Sequence, residues 1–114
     1  AYGDPTLVCM NATEYAWYAA HQFPVLAFSP QAKGFFSRVL TGGVDSLPEK
    51  VRRRFLTPGN LARAEKIRAE SERTGRSPAA LALDHITNNP AVRACAIVGC
   101  SSVAQLRDSL DIAD

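Results

Sequence analysis

The stretch Val25-Leu26-Ala27-Phe28-Ser29-Pro30-Gln31-Ala32-Lys33-Gly34-Phe35-Phe36 decides how this chain is read. Four consecutive apolar residues, closed by Ser29 and Pro30, predict a short strand buried on both faces, because a half-exposed strand alternates apolar with polar residues. A second run, Cys95 to Val98, is broken by Gly99 and reads the same way. Helical signals fill the interval between the two runs. Consecutive parallel strands need a long crossover, so the expected class is α/β.

Working outward, the helix boundaries are marked by capping residues. Asn11, with Glu14 three residues on, has capping-box spacing and predicts a helix to Gln22, with Tyr15, Tyr18 and Ala19 on one side. Ser29 to Ser37 reads as a loop. Gly42, Gly43, Pro48, Pro58 and Gly59 frame a short helix from Leu47 to Phe55. Asn60 to Thr74 reads as a charged helix with Leu61, Ala64, Ile67 and Ser71 inward, and Gly75 supplies its left-handed stop. Ser77 caps the next helix with Pro78 in its first turn, and that helix ends at Asn88. Ser102 begins a last helix, with Gln105 again three residues on.

The chain has 114 residues, 46% hydrophobic and 21% charged, which is the composition of a packed globular protein. It is too short for a closed eight-stranded α/β barrel of about 250 residues. Two strands alone do not bury both faces of a sheet, so either partner strands lie elsewhere or the chain pairs with a copy of itself. The simpler expectation is that this is the C-terminal portion of one larger domain whose N-terminal half precedes Ala1.

A net charge of +2 argues against nucleic acid as a partner. The alternating signs from Arg63 to Arg73 read as a solvated helix face. The local excess Lys50, Arg52, Arg53 and Arg54 reads as a surface helix, with no aromatic platform beside it. Cys9, Cys95 and Cys100 cannot all pair within the chain, which fits a reducing, cytoplasmic setting. No apolar run reaches the ~18 residues that span a bilayer, and Ala1 to Thr6 has no leader pattern. No spacing of His, Cys and Asp matches a metal site.

In α/β folds ligands sit beyond the carboxyl ends of the strands. Ser29 offers a hydroxyl there, Gly34 close backbone approach and Lys33 a mobile cation, a set suited to a pyrophosphate. At the second strand, Gly99, Cys100, Ser101 and Ser102 lead into a helix start that attracts phosphate, unless Ser102 only caps its helix.

The stretch from Val25 to Phe36 resembles the seventh strand and following loop of aldo/keto reductases. The tail from Ala96 to Leu110 resembles that family's eighth strand and cofactor helix, and Arg73 to Leu83 its intervening helix pair. The resemblance implies the C-terminal part of a (β/α)8 TIM barrel. It implies that Ser29, Pro30, Gln31 and Gly34 wrap the pyrophosphate of a nicotinamide dinucleotide and that Phe28 stacks on the nicotinamide. It also assigns Gly99, Cys100, Ser101, Ser102, Gln105 and Ser109 to the adenosine end.

NADP is the expected cofactor and NAD the alternative, since Gly99 and Gln105 stand where the family often has basic residues. Phe28 stands for the usual Tyr and Ser109 for the usual Asn. The substrate implied is a small aldehyde or ketone. The family's Asp, Tyr, Lys and His tetrad lies on earlier strands, so no catalytic residue is assigned in this chain, and it is expected to be inactive alone. His21 and His85, placed in helices, read as packing or surface residues. Alternatives are a cofactor-sensing regulatory subunit of the same fold, or a small α/β interaction domain.

Overall fold

Three residue pairs define the sheet of the computed structural model: Val25 opposite Ala94, Leu26 opposite Cys95 and Ala27 opposite Ala96, in parallel register. The structure describes residues 6–111. Ala1 to Pro5, most of the stretch read for a leader, lie outside the described residues. The order is α1 (Ala12–His21), β1 (Val25–Ala27), α2 (Phe35–Gly42), α3 (Glu49–Phe55), α4 (Pro58–Thr74), α5 (Pro78–Thr87), β2 (Ala94–Ala96) and α6 (Val103–Leu110). Short 3-10 turns at Ala32–Gly34 and Val44–Ser46 flank α2. This is the α/β alternation read from the sequence, with two parallel strands and a four-helix crossover.

The strands correct one expectation. Both have a half-buried, exposed, half-buried pattern, and Leu26 is 69% exposed. Burial on both faces needs a second layer of chain. Among the described residues the helices cover the face of Val25, Ala27, Ala94 and Ala96, and Leu26 with Cys95 lies on the open face. Apolar composition alone does not reveal whether a covering layer is present.

A second correction is α2, whose first residues, Phe35 to Ser37, were read as loop. Gly34 takes the left-handed conformation (φ 79°) that starts α2. The helix then buries Phe35 completely against Leu47 and Val51, with Phe36, Val39, Val44, Phe55 and Leu56 packed around them. Phe35, Phe36, Val39 and Leu40 form a helical stripe, hidden in the sequence by the Gly-Phe-Phe pattern that favours extended chain. The residues from Leu47 onward do form a helix, beginning at Glu49.

The caps behave as read. Asn11 Oδ1 accepts from Glu14 N at 2.8 Å while Glu14 Oε2 accepts from Asn11 N at 2.9 Å. α4 starts two residues early, at Pro58, because the Thr57 hydroxyl accepts from Asn60 N at 3.1 Å and Pro is tolerated in a first turn. Gly75 ends α4 at φ 74°. Ala64 is its buried inward residue, and the outward face carries Arg68 bonded to Glu65 and Glu72, and Arg73 to Glu70. Such exposed pairs contribute little to stability.

α5 is the central helix. It buries Ala79, Ala80, Ala82 and Leu83 and packs against α2, α4, α6 and β2. Small side chains let these elements approach closely. Its start is tied to the end of α6 by a polar knot. The Ser77 hydroxyl accepts from Ala80 N at 3.0 Å and donates to Asp108 O at 2.6 Å. The Arg76 guanidinium donates to Asp84 and, at 2.7 Å, to Asp111, whose other oxygen accepts from Ser77 N at 3.0 Å.

The Ser77 N–H and then the Arg76 guanidinium hold the Asp111 carboxyl below its ordinary value of 3.8. A lowered folded value means that the stabilisation is complete above 3.8 and is lost as pH falls through the folded value. Acid titration of thermal stability should therefore show a smaller loss below about pH 4 in Asp111→Asn than in the parent, from a lower starting stability. In urea melts Phe35→Ala should cost about 3–5 kcal/mol, and a cost under about 1 kcal/mol would remove Phe35 from the core.

Candidate functional site

Parallel strands send both carboxyl ends to the same end of the sheet. The loop after β1 and the loop leading into α6 therefore face each other across a hollow of about 630 Å³, in the range of small-molecule sites. Ser29, Pro30, Gln31 and Gly34 line it from one side, and Gly99, Cys100, Ser101, Gln105 and Ser109 from the other. Nine of the eleven residues that the family resemblance assigns to a cofactor are thus gathered around one space.

The first wall is a tight, left-handed turn. Ser29 (φ 48°), Ala32 (49°), Lys33 (54°) and Gly34 (79°) all have positive φ. The turn is closed by Ala32 N donating to Ser29 O at 3.1 Å and Gly34 N to Gln31 O at 2.9 Å. Three non-glycine residues in this region store roughly 1–3 kcal/mol each, a pattern typical of ligand-binding turns. At Gly34 it is the backbone that favours glycine, since a Cβ there would meet only the Arg38 side chain, at an ordinary 3.5 Å from Nε. Lys33 and Arg38 line the hollow on this side.

The opposite wall is built by capping. Ser102 Oγ accepts from Gln105 N at 3.2 Å, and Gln105 Oε1 accepts from Ser101 N at 2.8 Å. Ser102 caps α6 and does not line the hollow. Gly99 is open, with nothing within 4 Å of an added Cβ.

Gln31 and Ser109 join the two walls. Gln31 Nε2 donates to Ser109 Oγ at 2.9 Å and to Ala79 O at 3.1 Å, and Ser109 is only 6% exposed. Both residues carry ligand roles in the resemblance, yet their amide and hydroxyl first hold the β1 loop against α5 and α6. Ser37, Ile97 and Val98 also line the hollow, as do Arg38, Ala79 and Asp108, which were missed from sequence. The available signal was helical spacing, with Arg38 four residues after Gly34 and Asp108 three after Gln105.

Phe28 lies apart from these. It is 46% exposed and borders a second, more apolar hollow with Tyr15, Tyr18, Leu26 and His85. Phe28 is therefore not part of the lining of the first hollow, although it precedes Ser29 directly in the chain. His21 stacks on Trp17 at 4.3 Å between ring centroids, with Nδ1 2.8 Å from Trp17 O, and belongs to its own helix end. Cys95 is exposed and Cys100 half-buried, both unpaired.

Compared with known proteins, residues 12–114 match a family model described as the aldo/keto reductase family. Neither a curated protein nor a solved structure gives a match. No helix among the described residues is long and apolar enough to cross a membrane.

The Gln31 bridge has a measurable consequence. Gln31→Ala strands the buried Ser109 hydroxyl and should lower stability by about 1–3 kcal/mol, whereas Gln31→Ala combined with Ser109→Ala should recover part of that loss. Strictly additive losses in thermal melts of the two single variants and the double would show that the pair is not coupled.

Proposed function

Because the chain belongs to the aldo/keto reductase family, in which NAD(P)H-dependent oxidoreduction is general, we propose that it forms the cofactor-holding part of a carbonyl reductase. On this reading β1 and β2 are the last two strands of a (β/α)8 barrel completed by residues outside this chain. One observation carries it: both carboxyl-end loops open into a single hollow that gathers nine of the residues the family resemblance assigns to a dinucleotide.

The lining fits such a ligand. Lys33 and Arg38 provide positive charge beside the left-handed turn, Ser29 offers a hydroxyl to a pyrophosphate, and Gly34, without a side chain, permits its close approach. Gly99, Cys100, Ser101, Gln105 and Ser109 form the wall for the adenosine half. Phe28, beyond the Ser29 turn, offers a ring face to the nicotinamide. When bound, a reduced nicotinamide supplies hydride for the carbonyl carbon of an aldehyde or ketone. This chain's residues bind and orient, while the Asp, Tyr, Lys and His that manage the proton come from the preceding part of the barrel. The unpaired thiols support a reducing, cytoplasmic setting.

Calorimetric titration tests the assignment. The chain should bind reduced nicotinamide dinucleotide, and Gly34→Val, which forces a β-branched residue to φ 79°, should weaken binding about tenfold or more. The 114-residue chain should show no carbonyl reduction. Turnover by it alone, or unchanged affinity in both Gly34→Val and Phe28→Ala, would overturn the reading.

A further inference from the structure

Charge is unevenly spread along this chain. The stretch from Ser29 to Leu56 carries six cations against two acids, Asp45 and Glu49, whereas the whole chain is only +2. The lining of the first hollow accounts for little of that excess, since it holds Lys33 and Arg38 together with Asp108. The other four cations of the stretch stand on α3. Arg52 reaches Asp45 at 4.0 Å and donates to Val44 O at 3.3 Å, and Arg54 lies over the Phe55 ring, 5.5 Å from its centroid. Lys50 and Arg53 are exposed and engage no hydrogen-bond or ion-pair partner among the described residues. We infer that α3 is a collecting surface for the anionic dinucleotide, with Lys50 and Arg53 drawing it toward the β1 turn and speeding its capture without touching it.

The inference rests on the cofactor-holding role proposed above and on where α3 sits. Val51, next to Lys50, is buried in one cluster with Phe35, and Ala32 packs against that cluster. Ala32 and Phe35 flank Lys33 and Gly34, which line the hollow. α3 thus packs on the turn itself, and its seven residues make a helix only about 10 Å long, so none of its cations is remote from the hollow. At about 0.01 M salt a charge acts over ~30 Å, so attraction of a doubly negative pyrophosphate needs neither contact nor one side-chain orientation. A cation in contact with the ligand would slow its release. A cation acting at a distance speeds its arrival and leaves release nearly unchanged.

Stopped-flow mixing of the 114-residue chain with NADH, followed by nicotinamide fluorescence, separates the two rates. Lys50→Glu combined with Arg53→Glu should slow association about tenfold at about 0.01 M salt and leave dissociation within about twofold. At about 1 M salt, where charges act over ~3 Å, parent and variant should associate equally fast. Arg53→Glu alone should slow association about threefold at the lower salt, and Arg93→Glu, the same charge change before β2 at the amino end of the sheet, less than about twofold. Equal association rates of parent and double variant at low salt overturn the inference and leave the cofactor role standing. So does a loss confined to dissociation in a variant that keeps the parent's circular dichroism, and so does slowing by Arg93→Glu as large as by Arg53→Glu. A parent chain that binds no NADH overturns the cofactor role itself, and the collecting surface with it.

Discussion

The parallel pairing of Val25, Leu26 and Ala27 with Ala94, Cys95 and Ala96 is the constraint from which the site follows. Had the strands run in opposite directions, the turn at Ser29 and the turn at Gly99 would stand at opposite ends of the sheet. Running together, they open side by side, and the crossover through α2, α3, α4 and α5 is the length of chain that parallel pairing demands. Strands of three residues are too short to hold such a geometry alone. The helices hold it for them, through α5 packed on β2 and the closed cluster around Phe35.

The same arrangement explains why a strained turn persists next to the hollow. Left-handed Ser29, Ala32 and Lys33 would relax in a free peptide. Here the turn is fixed at both ends, by β1 before it and by Phe35 buried at the start of α2. Gln31, in the middle, is held by Ser109 and Ala79. The Arg76, Ser77 and Asp111 knot then fixes the far end of α6 to the start of α5, so the wall facing the turn is braced along its length. Position, rather than any unusual side chain, is what this scaffold supplies.

Much of this was legible in the sequence because it is local. Asn11, Ser77 and Ser102 announce their helices through residues three positions away, and Gly75 through its own backbone. The class of fold followed from two apolar runs separated by helical pattern. What was not legible depends on residues distant in sequence. The exposure of Leu26 is set by whether a layer covers it, and the Gln31 to Ser109 bond joins residues 78 positions apart. α2 was missed because its apolar stripe begins at once after a glycine turn, where loop and helix signals overlap. Among the site residues, the turn and strand-end positions were readable as loop chemistry, whereas Arg38 and Asp108 reach the hollow only through the pitch of helices whose placement had to be seen. Ser102 shows the limit of residue type: the same serine suits a phosphate and a cap, and the cap bond to Gln105 N is what the fold adds.

The central claim, that the two carboxyl-end turns form one binding surface, is tested most directly by amide chemical shifts of the chain during titration with NADH. Gly34 and Gly99, on opposite walls, should move together with a single saturation curve, accompanied by Ser101 and Gln31, while Arg68 on the outer face of α4 stays still. Movement of one wall without the other, or shifts confined to residues away from both turns, would contradict it.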